Sequence, residues 1–102
     1  MNTSVKSTVQ PSYKRDYFIY VPKKDCDLFP AFTTAVELET DKSTIRTQFY
    51  VGSYRGFSRN LKPWFEAHPE LEAGDTLCIT VREPGRRYRL EIQPKKPKDL
   101  LS

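Results

Sequence analysis

Very little in this sequence is equipped for catalysis. There is one histidine, His68, and it stands against Pro69, so it reads as a surface or capping residue. It offers no serine or cysteine a convincing general base. The two cysteines, Cys26 and Cys78, lie far apart, and neither belongs to a CxxC pair. A zinc site would have to gather both, the histidine and a carboxylate from scattered places, so no metal is expected. Two free, mostly buried thiols fit a reducing compartment. The four glycines form neither GxGxxG nor P-loop spacing, which removes the usual phosphate cradles. No Asp or Glu has lysine two residues on, so the Asp/Glu-x-Lys pair of the common metal-dependent nuclease core is absent. Glu70, Glu72 and Asp75 share an exposed-looking turn and read as solvated carboxylates. The expectation is a chain with no enzymatic activity and no cofactor. No apolar run approaches the roughly 18 residues of a membrane span. The first residues also lack the apolar core of a signal peptide, and an intracellular, cytoplasmic protein is expected.

What is there suits one folded module. At 102 residues, with 37% hydrophobic and 13% aromatic content, the chain can bury a single modest core. Its net charge of +4 is unevenly distributed. Residues 42–62 carry +5 and residues 82–94 carry +2, while 17–41 carry −3 and 63–81 carry −4. Such segregation favours a one-faced electrostatic footprint.

The stretch 44–64, TIRTQFYVGSYRGFSRNLKPW, organises the rest. Ile45, Thr47, Phe49 and Val51 fall on one face of a strand, with Arg46, Gln48 and Tyr50 on the other. Gly52, Ser53 and Gly56 then mark a turn carrying Tyr54 and Arg55. Between residues 43 and 62 there are four cations (Arg46, Arg55, Arg59, Lys62) and no carboxylate. Twenty residues of one sign, interleaved with tyrosines and amides, read as a surface for phosphates and bases.

The remaining chain reads as short strands. Residues 1–7 form a loose arm, with a short edge strand expected over 7–10. Ser12, Tyr13, Lys14, Arg15 and Asp16 make a basic, aromatic loop, and 16–21 make a core strand ended by Pro22. Residues 23–29 are spaced for one helical turn with Cys26 and Phe29 inward. Residues 33–39, 76–82 and 87–93 alternate as strands, the last two joined by a Pro-Gly hairpin loop. A second short helix follows Pro63, which suits a first helical position. Trp64, Phe49, Leu77 and Ile79 are assigned to the core. The fold class expected is mainly β, a seven-stranded open pseudobarrel with two short helices, spanning 1–94 as one domain before a basic Pro/Lys tail at 95–102.

Two segments carry a resemblance. FIYVPKKDCDLFP (18–30) resembles the opening strand and helix of the plant B-three DNA-binding domain, where a strand ends in IPK and a short helix closes in FP. KPWFEAHPELEAGDTLCITV (62–81) resembles that family's GW…F…L…GD segment. The chain is similar in style to the B-three-type recognition domains of modular restriction endonucleases, over residues 8–93. The resemblance implies a pseudobarrel that clasps double-stranded DNA in the major groove with two arms, here 12–16 and 48–60. Where the plant family often has an aromatic-asparagine pair, this chain reads Gly52-Ser53-Tyr54-Arg55-Gly56, so individual base contacts do not carry over.

The candidate DNA-binding residues are accordingly Ser12, Tyr13, Lys14, Arg15, Lys23, Arg46, Gln48, Tyr50, Ser53, Tyr54, Arg55, Ser58, Arg59, Asn60 and Lys62. Lys14, Arg15, Lys23, Arg59 and Lys62 are expected near phosphates. Arg46, Gln48, Ser53, Tyr54, Arg55 and Asn60 are expected near base edges. The isolated domain is expected to be monomeric, with any catalytic domain covalently attached elsewhere. Two rivals stand beside this reading. One is a swapped-hairpin dimer of the transition-state-regulator type, which needs only about half this length. The other is a small barrel binding protein or single-stranded RNA or DNA, which a preference for single strands would reveal.

Overall fold

Alternation of apolar and polar residues runs through almost every strand, and it leaves one buried face that has to curl around a common core. The computed structural model describes residues 4–22 and 27–93. Its elements are β1 (Ser4–Thr8), α1 (Pro11–Asp16), β2 (Ile19–Tyr20), β3 (Thr34–Glu39), β4 (Thr44–Val51), β5 (Arg55–Phe57), α2 (Lys62–Glu66), β6 (Thr76–Glu83) and β7 (Arg87–Ile92). The seven strands form one sheet in the order β1-β6-β7-β3-β4-β5-β2. All neighbours are antiparallel except β3 and β7. The expected class, mainly β with seven strands and two short helices, is the one observed.

The sheet nearly closes, and the device that closes it is polar. Ser7 sits on the inward face of β1, and its hydroxyl donates to the Tyr20 carbonyl of β2 at 2.5 Å. That uses the only proton on Ser7, so the Tyr13 hydroxyl donates to Ser7 Oγ, at 2.6 Å. One serine thus joins both edge strands and α1. Burial raises the pKa of the Tyr13 phenol, and its bond to Ser7 only partly opposes that rise. Two expectations are corrected here. The arm 1–7 is not loose over its described part, because β1 pairs with β6 from Ser4↔Thr80 to Thr8↔Thr76. The loop 12–16 is instead a helix, in which Pro11 occupies the first turn, where a missing N–H costs nothing.

The interior is aromatic. Phe29 stacks between Phe49 (centroids 5.1 Å, 10°) and Tyr88 (4.8 Å, 18°), with Phe57 edge-on to all three. Trp64, Phe49, Leu77 and Ile79 are buried, as assigned from the sequence. Gly56 is needed for a close approach, since a Cβ there would lie 2.1 Å from the Ile19 carbonyl oxygen of β2. Among the described residues no helix is long and apolar enough to cross a membrane. Of the helical turn expected over 23–29, residues 27 and 28 form a short 3-10 turn and Phe29 is buried as expected, while 23–26 and the tail 95–102 lie outside the described residues.

His68 is not a surface residue. It is 8% exposed, with Nε2 3.1 Å from the Asp41 carboxylate and Nδ1 3.1 Å from Glu70. Its ring packs on Trp64 at 4.7 Å, and the indole N–H donates to Asp41 at 3.2 Å. This node ties the β3–β4 turn to the end of α2. At Asp41, burial acts to raise the pKa, but hydrogen bonds from His68 and Trp64 outweigh it and hold the carboxyl below its usual range. Glu70 is lowered as well, first by its own backbone N–H and then by His68. A carboxyl with a depressed folded-state pKa adds stability above its unfolded value and loses it as the pH falls through the folded one. The unfolding midpoint should therefore fall as the pH drops below about 4, the ordinary carboxylate range. Asp41→Asn should flatten that acid limb. An unchanged acid limb in denaturation curves would rule the node out as its source.

Candidate nucleic-acid interface

The arrangement of charge divides the barrel surface in two. On the β3–β7–β6 side, parallel pairing sets Glu37 against Arg87 and Glu39 against Arg89. The arginines there are paired: Arg87 with Glu37 (3.2 Å) and Glu83 (3.6 Å), Arg82 with Glu39 (3.4 Å), Arg89 with Glu91 (3.4 Å). Exposed pairs of this kind add little stability, but they neutralise the face they occupy. The arginines of the block 82–94 are thereby balanced by Glu37 and Glu39 from the block 17–41 and by Glu83 and Glu91 from their own block.

The β4–β5 side is different. Among the described residues, Arg46, Arg55, Arg59 and Lys62 enter no ion pair. After β5 the chain turns back along β4 and is pinned there. Ser58 N donates to the Gln48 carbonyl (2.9 Å), Arg59 N to Thr47 Oγ1 (3.0 Å) and Asn60 Nδ2 to the Arg46 carbonyl (2.6 Å). Asn60 adopts a left-handed conformation (φ 61°), which asparagine tolerates better than most residues. The Arg59 guanidinium donates to Gln48 Oε1. Five of the sequence candidates (Arg46, Gln48, Ser58, Arg59 and Asn60) thus form one strip. Ser58 and Asn60 hold the backbone with the same groups that the sequence suggests should face outward.

At the β4–β5 turn, Tyr50 and Tyr54 lie 5.1 Å apart and join Phe18 and Tyr20 in an aromatic cluster. Tyr50 lies over Gly52, where an added Cβ would meet its hydroxyl at 2.3 Å. Ser53 is exposed at the tip. Arg55 pairs in register with Val51, so it occupies the sheet face opposite Tyr50, toward the end of the barrel. The other expected arm is less uniform. Tyr13 is 2% exposed and bonded to Ser7, which corrects its assignment as a DNA-facing residue: its ring fills the core. Lys14 donates to the carbonyls of Leu71 (2.8 Å) and Pro69 (3.2 Å), bracing α1. Ser12 is half-buried, and Arg15 is exposed beside Asp16. Lys62 sits over the Tyr17 ring at 5.9 Å. Lys23 lies outside the described residues. Among the described residues no group of three or more His, Cys, Asp or Glu is placed to hold a metal ion.

Solved structures share this architecture, two of them as follows. A hypothetical protein of Arabidopsis thaliana, At1g16640.1, superposes with a TM-score of 0.69 at 12% identity, over 94% of each chain. The N-terminal domain of Helicobacter pylori LlaJI.R1 gives a TM-score of 0.70 at 13% identity, over 97% of this chain and 95% of that one. The likeness is one of fold. No protein family and no curated protein matches the sequence.

One exposed residue beside this surface has no cue in the sequence. Phe32 precedes β3 and is 77% exposed. A lone phenylalanine next to a strand start reads as core, and only the tertiary structure reveals that nothing covers it. Phe18 and Tyr20 read from the sequence simply as strand residues. Their packing against Tyr50 and Tyr54 links the two expected arms.

Proposed function

We propose that this chain is a DNA-binding domain of the B-three pseudobarrel kind, recognising double-stranded DNA by sequence through the major groove. The observation that carries the proposal is the unneutralised strip on β4 and the segment after β5, set against a β3–β7–β6 face whose arginines are balanced by carboxylates. In this reading Arg46, Gln48, Ser53, Tyr54 and Arg55 face base edges. Arginine can bridge both acceptors of guanine, and glutamine can read adenine, each worth about 1–3 kcal/mol of discrimination. Arg15, Lys62 and Arg59 lie along phosphates and set register and salt dependence. The two arms are α1 with its following residues and the β4–β5 hairpin. The domain acts as a monomer and contributes no catalytic step. Its setting is the recognition part of a restriction endonuclease, with cleavage supplied by another domain, or a small regulator.

The test is selection from a randomised duplex pool at two salt concentrations, with sequencing of the bound fraction. A short enriched motif, with affinity falling steeply in salt, is the expected result. Salt-sensitive binding without enrichment would leave only a backbone clamp. Preference for single strands would instead favour base stacking on Tyr54 and Phe32, the two exposed large hydrophobics among the described residues.

A further inference from the structure

The end of the barrel at the β4–β5 turn has two features that the polar strip does not use. The first is a cavity of about 340 Å³ lined by Tyr20, Val21, Gly52, Ser53, Tyr54 and Arg55. That volume is at the small end of the range for sites that hold organic ligands. One side is aromatic, with the Tyr20 and Tyr54 centroids 5.3 Å apart. The Ser53 hydroxyl and the Arg55 guanidinium supply hydrogen-bonding groups. The second feature is Phe32, whose ring is exposed while its neighbour Thr33 is bonded to β4. Thr33 Oγ1 donates to the Val51 carbonyl (3.3 Å) and accepts from Val51 N (2.9 Å). The loop carrying Phe32 is therefore clipped to the residue that leads into the cavity wall.

Single exposed apolar residues are ordinary on protein surfaces. An exposed apolar ring whose neighbour is bonded to Val51, one residue before the wall of an aromatic cavity and next to an unneutralised basic strip, is a more particular arrangement. A protein that takes a base out of a duplex needs a pocket that stacks the base, and apolar side chains can wedge between base steps. We propose that this cavity accepts one nucleobase swung out of the duplex, stacked on Tyr54, while Phe32 fills the gap left in the base stack. Ser53 and Arg55 then meet the exposed Watson–Crick edge of the base. No bond is made or broken, so extrusion here is a means of reading. The inference rests on the DNA-binding reading above and adds to it the ligand of a specific pocket.

The experiment uses duplexes carrying a single 2-aminopurine, walked one position at a time through a bound site. Binding of the whole chain is followed separately by the anisotropy of a terminal dye. At one position the 2-aminopurine emission should rise severalfold on binding. A mismatch there should tighten binding by about tenfold, because a mispaired base costs less to extrude. Phe32→Ala should weaken binding of the selected duplex and lose most of the emission rise, while Arg82→Ala, on the neutralised face, should keep both. Saturable binding with 2-aminopurine quenched at every position, and with no position where a mismatch tightens binding, would overturn the base pocket and leave the DNA reading standing. Failure to bind any duplex would overturn both.

Discussion

Replacing Trp64 with alanine should destabilise the domain by about 3–5 kcal/mol, the usual cost of emptying a large aromatic site in a packed core. A domain of this size has only about 5–15 kcal/mol in total. The variant should therefore be partly unfolded at room temperature, or unfold at a much lower denaturant concentration. The site leaves little room for relaxation. Trp64 is 2% exposed, edge-on to Phe65 at 5.1 Å and against His68 at 4.7 Å. Its N–H also donates to Asp41, so its loss empties space and loosens the link between α2 and the β3–β4 turn. Trp64→Phe keeps an aromatic ring in the site and gives up the bond to Asp41, a loss of about 0.5–1.5 kcal/mol for a typical hydrogen bond. Since Trp64 is the only tryptophan, the transitions have to be followed by circular dichroism. A Trp64→Ala protein with a near-native midpoint that no longer binds DNA would place Trp64 in the interface instead of the core.

How far such assignments can be made from sequence depends on whether the cue is local. β4, β6 and β7 are legible because each alternates over six or eight residues, and a period of two directly encodes an inner and an outer face. α2 is legible from its proline and aromatic pair. β1 is harder because its inward positions are Val5 and Ser7, and a serine facing inward reads as polar until Tyr13 and Tyr20 appear beside it. Tyr13 misleads for the same reason, since a tyrosine among basic residues gives no sign of which way it points. His68 depends on Asp41, 27 residues away, and no local spacing announces such a pair. The charge blocks are visible in the sequence, but their fate is not. Only the parallel pairing of β3 with β7 shows that one basic block is answered by carboxylates while the other is left open. The strip on β4 is legible as composition, and its pinning by residues 58–60 is not.

That open block carries the largest functional expectation. In the β3–β4 register Arg46 lies opposite Glu37, a position that would ordinarily neutralise it. Glu37 is instead drawn to Arg87 at 3.2 Å on its other side, and Arg46 is left unpaired. Arg59 meets no carboxylate among the described residues and is oriented by Gln48. Replacing Arg46, Arg55 and Arg59 together with alanine should leave the fold intact, because all three side chains lie at least partly in solvent. Every phosphate that no longer meets an arginine should make the slope of log affinity against log salt shallower by about 0.9. Every base edge left unread should cost about 1–3 kcal/mol on the preferred duplex and little on random DNA. The triple variant should therefore lose its preference for the selected site, with a visibly flatter salt dependence. Arg82→Ala, on the neutralised face beside Glu39, is the matched control and should change binding little. Arg87→Ala separates this electrostatic account from a simple count of positive charges. It frees Glu37 to turn to Arg46, so it should weaken binding from a distance, and adding Glu37→Gln should restore it. If Arg82→Ala and the triple variant lose affinity equally, the divided surface has no bearing on DNA binding and net charge alone accounts for it.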